Sequence, residues 1–458
     1  MSVPRTAEAI DAVVKAYDVR GIVGEQIDAG FVRDVGTAFA RLMAAEGAPR
    51  RVVIGHDMRG SSPELAAAFA EGVTATGSDV TAIGLASTDE LYFASGRLDC
   101  PGAMFTASHN PAAYNGIKLC RAGAKPVGTQ TGLAAIRQAL IDGVEAPAGP
   151  VGTVETIDLL DDYATFVRDL VGVPTRRRLT VAVDAGNGMA GHTVPAVFAT
   201  LPIDLRPLYF ELDGTFPNHE ANPLDPKNLV DLQRLVVETK ADIGLAFDGD
   251  ADRCFVVDET GAAVSPSTIT SLVADRELAR HPGSTIIHNL ITSRAVPELV
   301  TEQGGKPLRT RVGHSYIKQA MAESGAVFGG EHSAHYYFRD FWGADSGMVA
   351  ALHVLSALEQ TDGTLSELTN GYVRYAASGE INSTVTDQKA AVDAVLAAFA
   401  DRTVDVDTLD GHTVTLDSGA WFNLRPSNTE PLLRLNVEAA DDTAVAAIVD
   451  EVLGIIRR

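Results

Sequence analysis

The strongest constraint on this chain is a pattern that returns three times: a short β-rich run, a glycine-bearing turn, a helical stretch, another strand. RRVVIGHDMRGSSPELAAAFAEGVTATGSDVTAIG carries it first, RRLTVAVDAGNGMAGHTVPAVFATL repeats it from Arg177, and STIIHNLITSRAVPELVTEQGG repeats it from Ser284. Strands alternating with helices of this length form parallel β-α-β units, with sites at the C-terminal ends of the strands. After Ala376 the order changes. GEINSTVTD reads as a strand, QKAAVDAVLAAFA as a helix, further strands fall around GHTVTLDSGAWFNLRPSN and PLLRLNVEA, and DDTAVAAIVDEVLGIIRR is helical. The expected fold class is therefore α/β: three related mixed α/β domains and a smaller C-terminal α+β domain. A length of 458 residues suits three or four domains of roughly 150 residues or less. Soft breaks at APAGPVG, near Asp258 and near 370–378 divide the chain into 1–152, 153–258, 259–372 and 373–458.

A formal net charge of −23 disfavours nucleic acid and anionic membrane surfaces as partners. Any anionic ligand would need positive charge gathered locally. The N-terminal segment has no continuous apolar stretch of the secretory kind, and no run approaches the ~20 apolar residues of a membrane span. The apolar stretch from Gly347 to Leu358 reads as a packed helix. Cys100, Cys120 and Cys254 lie far apart and leave one unpaired in any bridging scheme, which suits a reducing compartment. The expected location is the cytoplasm.

Four segments carry chemistry. In TASHNPAAYNGIK, Ser108 follows the apolar run GAMF, so it falls in a loop beyond a strand end, and Asn110-Pro111 turns the backbone away from helix. A serine hydroxyl needs a neighbour or a metal to become a nucleophile; His109 and Lys118 are candidate neighbours, although a plain turn also uses these residue types. In GLAFDGDADR, a buried-strand pattern runs into Asp248, Asp250 and Asp252. Alternate residues of an extended chain face one side, so three carboxylates can converge on a hard divalent cation, with Mg²⁺ the natural guest. A calcium EF-hand would use Asp248, Asp250, Asp252 and Glu259, but Arg253 stands where that loop needs glycine, and CFVVDE is strand-like. VGHSYIK and GGEHSAHYYF supply Glu331, His332, Ser333 and His335, groups able to hydrogen-bond sugar hydroxyls or simply to close loops. Zinc lacks a ligand framework here. In LRPSNTEPLLRL, Arg425 offers a planar donor fork, and Ser427, Asn428 and Thr429 add donors suited to a phosphate dianion.

GNGMAG, from Gly186 to Gly191, matches a dinucleotide-binding turn, with Glu211 about twenty residues on. Tight strand–helix packing uses the same glycines. No second nucleotide feature accompanies it.

Taken together and in this order, TASHNP, DGDADR, GEHSAH and RPSNTEP resemble the phosphoserine, metal, sugar and phosphate loops of the alpha-D-phosphohexomutase superfamily across essentially the whole chain. The resemblance implies four domains around a central cleft. Ser108 would carry a phosphoryl group and, with Asp248, Asp250 and Asp252, hold Mg²⁺. Arg253, His109 and Arg20 would stand beside it, and Lys118 and His314 match positions implicated in proton transfer. Tyr17, Glu331, Ser333 and His335 would contact the sugar, and Arg425, Ser427, Asn428 and Thr429 the phosphate that is not reacting. The resemblance also implies small hexose phosphates as partners and a hexose 1,6-bisphosphate as intermediate and activator; between monomer and dimer the sequence does not decide.

SAH after Gly330-Glu331 resembles the phosphomannomutase and dual phosphomannomutase/phosphoglucomutase branches. The glucosamine branch more typically has glutamine where this chain has His332. A lysine of some dual-specificity members has only Arg294 near its place. Two other classes use the same residues: a sugar phosphatase, in which water completes the reaction, and a silent sugar-phosphate sensor.

Overall fold

A computed structural model describes residues 5–145, 149–172, 176–426 and 432–457; the side chains at 314 and 315 also lie outside the description. The chain forms four sheets. The first runs in the order Val19–Ile22, Tyr114–Arg121, Gly102–Phe105, Arg51–His56, Asp79–Leu85 and Val154–Thr156, with a short strand Lys125–Pro126 paired to the second of these. Its last four strands are mutually parallel, and the second, Tyr114–Arg121, runs antiparallel to both the first and the third. The second sheet runs Ala263–Val264, Cys254–Asp258, Ile243–Phe247, Leu179–Asp184, Ile203–Leu208, the last three parallel. The third runs Lys306–Thr310, Thr285–Asn289, Phe328–Gly330, Tyr336–Phe338, Ala344–Asp345, the first three parallel.

These three sheets share one device. A parallel block ends in a strand that turns straight back into an antiparallel neighbour: Phe105 pairs with Ile117, Phe247 with Cys254, Gly330 with Tyr336. The final parallel strands, GAMF, IGLAF and FGG, are buried throughout, as expected of parallel strands covered on both faces. Three of the four chemical segments are the loops of these hairpins. Each loop holds one non-glycine residue in the left-handed region: Ser108 at φ +48°, Ala251 at +61° and Ala334 at +63°. Residues other than glycine, asparagine and aspartate seldom adopt this conformation, so the loops are shaped by their surroundings.

The C-terminal sheet is antiparallel throughout, in the order Ala376–Thr384, Leu432–Ala439, Trp421–Pro426, His412–Leu416, Thr403–Asp407. Helices Gln388–Phe399 and Asp442–Ile456 share its separate core. The fold is thus the expected α/β arrangement with a smaller α+β unit. Two expected breaks need adjusting. Strand Val154–Thr156 joins the first sheet although it lies past 152, and strand Ala263–Val264 joins the second although it lies past 258. One long core joins the first three units, from Leu91 through Tyr163 and Val256 to Val349. Helix Gly347–Gln360, buried from Gly347 to Glu359, runs through it. Among the described residues no helix is long and apolar enough to cross a membrane.

Candidate active site

The hairpin loops of the first two sheets meet at Ser108. Its side chain is 4% exposed, and its Oγ donates to Asp248 Oδ2 at 2.8 Å and lies 3.2 Å from His109 Nδ1. Thr106 Oγ1 accepts from the Ser108 backbone N–H at 2.9 Å, which helps hold the positive φ. The close approach needs glycine at 249: a Cβ there would lie 2.5 Å from the Ser108 carbonyl oxygen.

Carboxylate oxygens of Asp248, Asp250 and Asp252 lie within 4.8 Å of one another, and all three residues are buried. Lys118 Nζ donates to Asp250 Oδ2 and to Asp252 Oδ2, each at 2.6 Å. Thr88, opening helix Thr88–Leu98, donates to Asp250 Oδ2 from Oγ1 at 2.6 Å. The other oxygens, Oδ1 of Asp250 and of Asp252, are buried without a hydrogen-bond partner. Buried acceptors of this kind are costly unless something satisfies them. Hard oxygen donors suit a divalent cation, so the loop can hold a metal ion.

The electrostatics divide the three aspartates. Burial pushes Asp248 up to about 7, although the Arg253 guanidinium opposes it. Burial also works against the Asp250 carboxylate, but Lys118 overrides it and holds the group well below the usual range. Lys118 in turn resists its burial through the charges of Asp250 and Asp252, and its value rises. Arg253, 3% exposed, donates from Nε to Asp248 Oδ2 at 2.9 Å and bonds to His109 through Nη2. That cation, with burial, keeps the His109 imidazole neutral by lowering its value far below the usual one. Arg20 donates from Nη1 to Asn110 Oδ1 at 2.6 Å, and its Nη2 pairs with Asp18.

The third hairpin loop closes on the second, where Arg253 and His335 form a backbone bridge. His335 Nε2 lies 3.7 Å from Asp252 Oδ1, and its Nδ1 lies 3.0 Å from Ser333 Oγ. Glu331 accepts from Tyr337 Oη at 2.9 Å and from the Gly313 N–H at 3.1 Å. Tyr17 stands at the joint between the first and third units, its ring edge-on to Tyr316 at 6.4 Å. His314 begins helix His314–Ser324, but its side chain is among those not described. Arg425 belongs to the C-terminal sheet and donates to Glu380 Oε2 at 3.3 Å, with Asp410 3.9 Å away. Asp410 accepts from the Val312 N–H at 3.2 Å, tying this edge to the third unit. Ser427, Asn428 and Thr429 lie outside the described residues.

Thr88 was not legible as a site residue, because STDE before a helix reads as an ordinary cap. Lys318 and Asp345 were also missed. Their buried pair, Nζ to Oδ1 at 2.6 Å, lies beside Tyr92, and Asp345 approaches Asp252 and His335. The alternative readings fare differently. Glu259 bonds to Ser366 at the far end of strand Cys254–Asp258, away from the aspartate loop, so it completes no calcium loop. The glycines of GNGMAG serve close packing: a Cβ at Gly188 would lie 2.7 Å from the Gly249 carbonyl oxygen, and one at Gly191 2.3 Å from that of Phe210.

An alcohol nucleophile set against carboxylates suited to a hard cation is the chemistry of a phosphoryl-transfer enzyme. Comparison narrows the class. Four phosphoglucomutase/phosphomannomutase family models match in chain order: alpha/beta/alpha domains I, II and III over 11–143, 161–261 and 265–375, and the C-terminal domain over 380–455. The chain is 40% identical to a protein named "Phosphohexose mutases" from Xanthomonas campestris, over 94% of this chain and 96% of that protein. It is 37% identical to a phosphomannomutase from Escherichia coli, over 97% and 98%. A phosphoglucomutase/phosphomannomutase family protein from Burkholderia thailandensis has a solved structure with a TM-score of 0.87 at 34% identity, covering 97% of this chain and 98% of that one. The chain belongs to the phosphoglucomutase/phosphomannomutase family. It is an isomerase of the phosphomutase kind, and that family membership implies hexose phosphates as substrates.

Proposed function

We propose that this enzyme interconverts mannose 1-phosphate and mannose 6-phosphate through a phosphorylated Ser108 and a hexose 1,6-bisphosphate. The observation that carries the reading is the 2.8 Å contact between Ser108 Oγ and Asp248, which brings one hydroxyl onto a loop of three clustered carboxylates. The relatives named phosphomannomutase support mannose as the sugar.

Asp248, Asp250 and Asp252 would hold Mg²⁺ together with the phosphorylated serine. Bound there, the ion would supply Lewis-acid neutralisation of charge on the moving phosphoryl group. The protein's own groups do the rest. A free sugar hydroxyl bonds to phosphorus in line with the departing Ser108 oxygen. Arg253, Arg20 and cationic Lys118 offset anionic charge, and neutral His109 stays beside the serine oxygen. His314 takes the proton of the attacking hydroxyl, because Lys118, held cationic by Asp250 and Asp252, can give a proton but not accept one. Tyr17, Glu331, Ser333 and His335 bind the sugar, while Arg425, Ser427, Asn428 and Thr429 hold the distant phosphate. The bisphosphate then turns over and returns its other phosphate to Ser108. Three free, buried cysteines suit the reducing cytoplasm as its location.

An enzyme-linked assay of mannose, glucose and glucosamine 1-phosphates, with Mg²⁺ and trace hexose 1,6-bisphosphate, tests the reading. Mannose 1-phosphate is expected to turn over, with or without glucose 1-phosphate. Comparable turnover of the amino sugar overturns the mannose branch. Net release of inorganic phosphate identifies a phosphatase, and binding without turnover or phosphoserine identifies a sensor.

A further inference from the structure

We propose that Arg59 is a positioning residue for phosphoryl transfer, a central peg around which the Ser108 loop is wound before substrate arrives. The inference rests on the reading of Ser108 as the phosphate carrier.

Arg59 lies between strand Arg51–His56 and helix Ser62–Ala75, and it is 1% exposed, among the largest fully buried side chains in the protein. A guanidinium has five N–H donors in a rigid plane. Here all five are used. Nη2 donates to the carbonyl oxygens of Ser108 at 2.8 Å and Asn110 at 2.7 Å. Nη1 donates to those of Pro111 at 2.9 Å and Tyr114 at 3.0 Å. Nε donates to Asp57 Oδ2 at 3.2 Å. Four carbonyls of one short segment thus converge on a single cation, and the Pro111 carbonyl also accepts the Tyr114 N–H at 3.0 Å, which closes the turn.

The peg is itself fixed. Asp57, fully buried, also accepts from the Arg59 backbone N–H at 3.0 Å and from Ser62 Oγ at 2.6 Å. The loop of the second unit covers the other side: the Phe216 ring lies 5.0 Å from the guanidinium carbon, and a Cβ at Gly214 would sit 2.6 Å from Arg59 Cα. The Ser108 carbonyl held by Arg59 is also the one against which Gly249 packs. Arg59 therefore sets the backbone that aims Oγ at Asp248, at a residue whose φ of +48° needs external support. In-line transfer tolerates little misplacement, so loosening the loop lowers turnover more than sugar binding.

The test compares wild type, Arg59→Lys and Arg59→Ala on mannose 1-phosphate with Mg²⁺ and hexose 1,6-bisphosphate, alongside melting curves. An ammonium keeps the charge beside Asp57 but cannot span four carbonyls in one plane. Arg59→Lys is expected to stay folded, to lose about 100-fold in kcat, and to shift KM by less than about threefold. Single-turnover phosphorylation of Ser108 slows in parallel. Arg59→Ala loses more, and millimolar guanidinium chloride restores about tenfold of its kcat without raising that of wild type. If Arg59→Ala does not fold, Arg59→Lys decides. A folded Arg59→Lys with kcat within about threefold of wild type, a loss carried wholly by KM, or an unfolded Arg59→Lys overturns the proposal. Failure of the underlying reading looks different: wild type then carries no phosphate on Ser108, and Ser108→Ala stays active.

Discussion

At the scale of residues, the site is a set of buried charges that restrain one another. Ser108→Ala removes the only atom proposed to carry phosphate, so kcat is expected to fall by at least about 1,000-fold with the fold kept; circular dichroism and the mannose 1-phosphate assay check both halves. Lys118 is the counter-charge for Asp250 and Asp252. Lys118→Met leaves two buried carboxylates without it, at a cost of about 3–5 kcal/mol in metal-free protein. Added Mg²⁺ should raise the melting temperature of this variant more than that of wild type, and calorimetry with and without chelator measures the difference. The residues legible in advance here were those whose chemistry is written in a short motif: Ser108, Asp248, Asp250, Asp252, Glu331. Arg59, Thr88 and Asp345 were not, because nothing local distinguishes a peg, a helix cap or a buried ion pair from surface residues of the same type.

At the scale of elements, one hairpin used three times brings the loops together, and glycine decides how close they come. Gly249→Ala puts a methyl against the Ser108 carbonyl. Its expected signature is a fall in kcat of about 100-fold together with a lowered melting temperature, because overpacking against backbone costs about 1–3 kcal/mol; kinetics and calorimetry on the same protein read both. Helix Thr88–Leu98 carries a second consequence. Burial, with the charge of Asp89 added, pushes the Glu90 carboxyl up to about 8 from an ordinary 4.5. Because the folded value is raised, the stabilising contribution of the protonated form is complete below about pH 4.5 and is lost as pH rises through about 8. Glu90→Gln should abolish that decline, which amounts to at most about 1.4 kcal/mol per pH unit. Urea midpoints across this window test it.

For the whole molecule, the cores predict how it comes apart. Asp89 accepts from Tyr163 Oη at 2.7 Å and Ser346 Oγ at 2.6 Å, joining all three α/β units at one buried carboxylate. With a continuous apolar core across them, these units are expected to unfold together. The C-terminal unit has its own core and is expected to melt separately. Scanning calorimetry should therefore resolve two transitions, of which the smaller disappears when residues 376–458 are removed. A single transition would mean that contacts such as Arg309 to Asp407 and Val312 to Asp410 bind the units as tightly as their cores do.

The sequence by itself determined the alternation of strands and helices, the change of pattern after Ala376, and the residue types at each loop, because periodicity and turn chemistry act over a few neighbours. Tertiary structure alone decided that Ser108 meets Asp248 across 140 residues, that Lys118 rather than solvent answers the aspartates, and that four carbonyls close around Arg59. Those contacts depend on how separate sheets pack against one another. Packing is a property of surfaces assembled from distant segments, and short-range spacing carries no record of it.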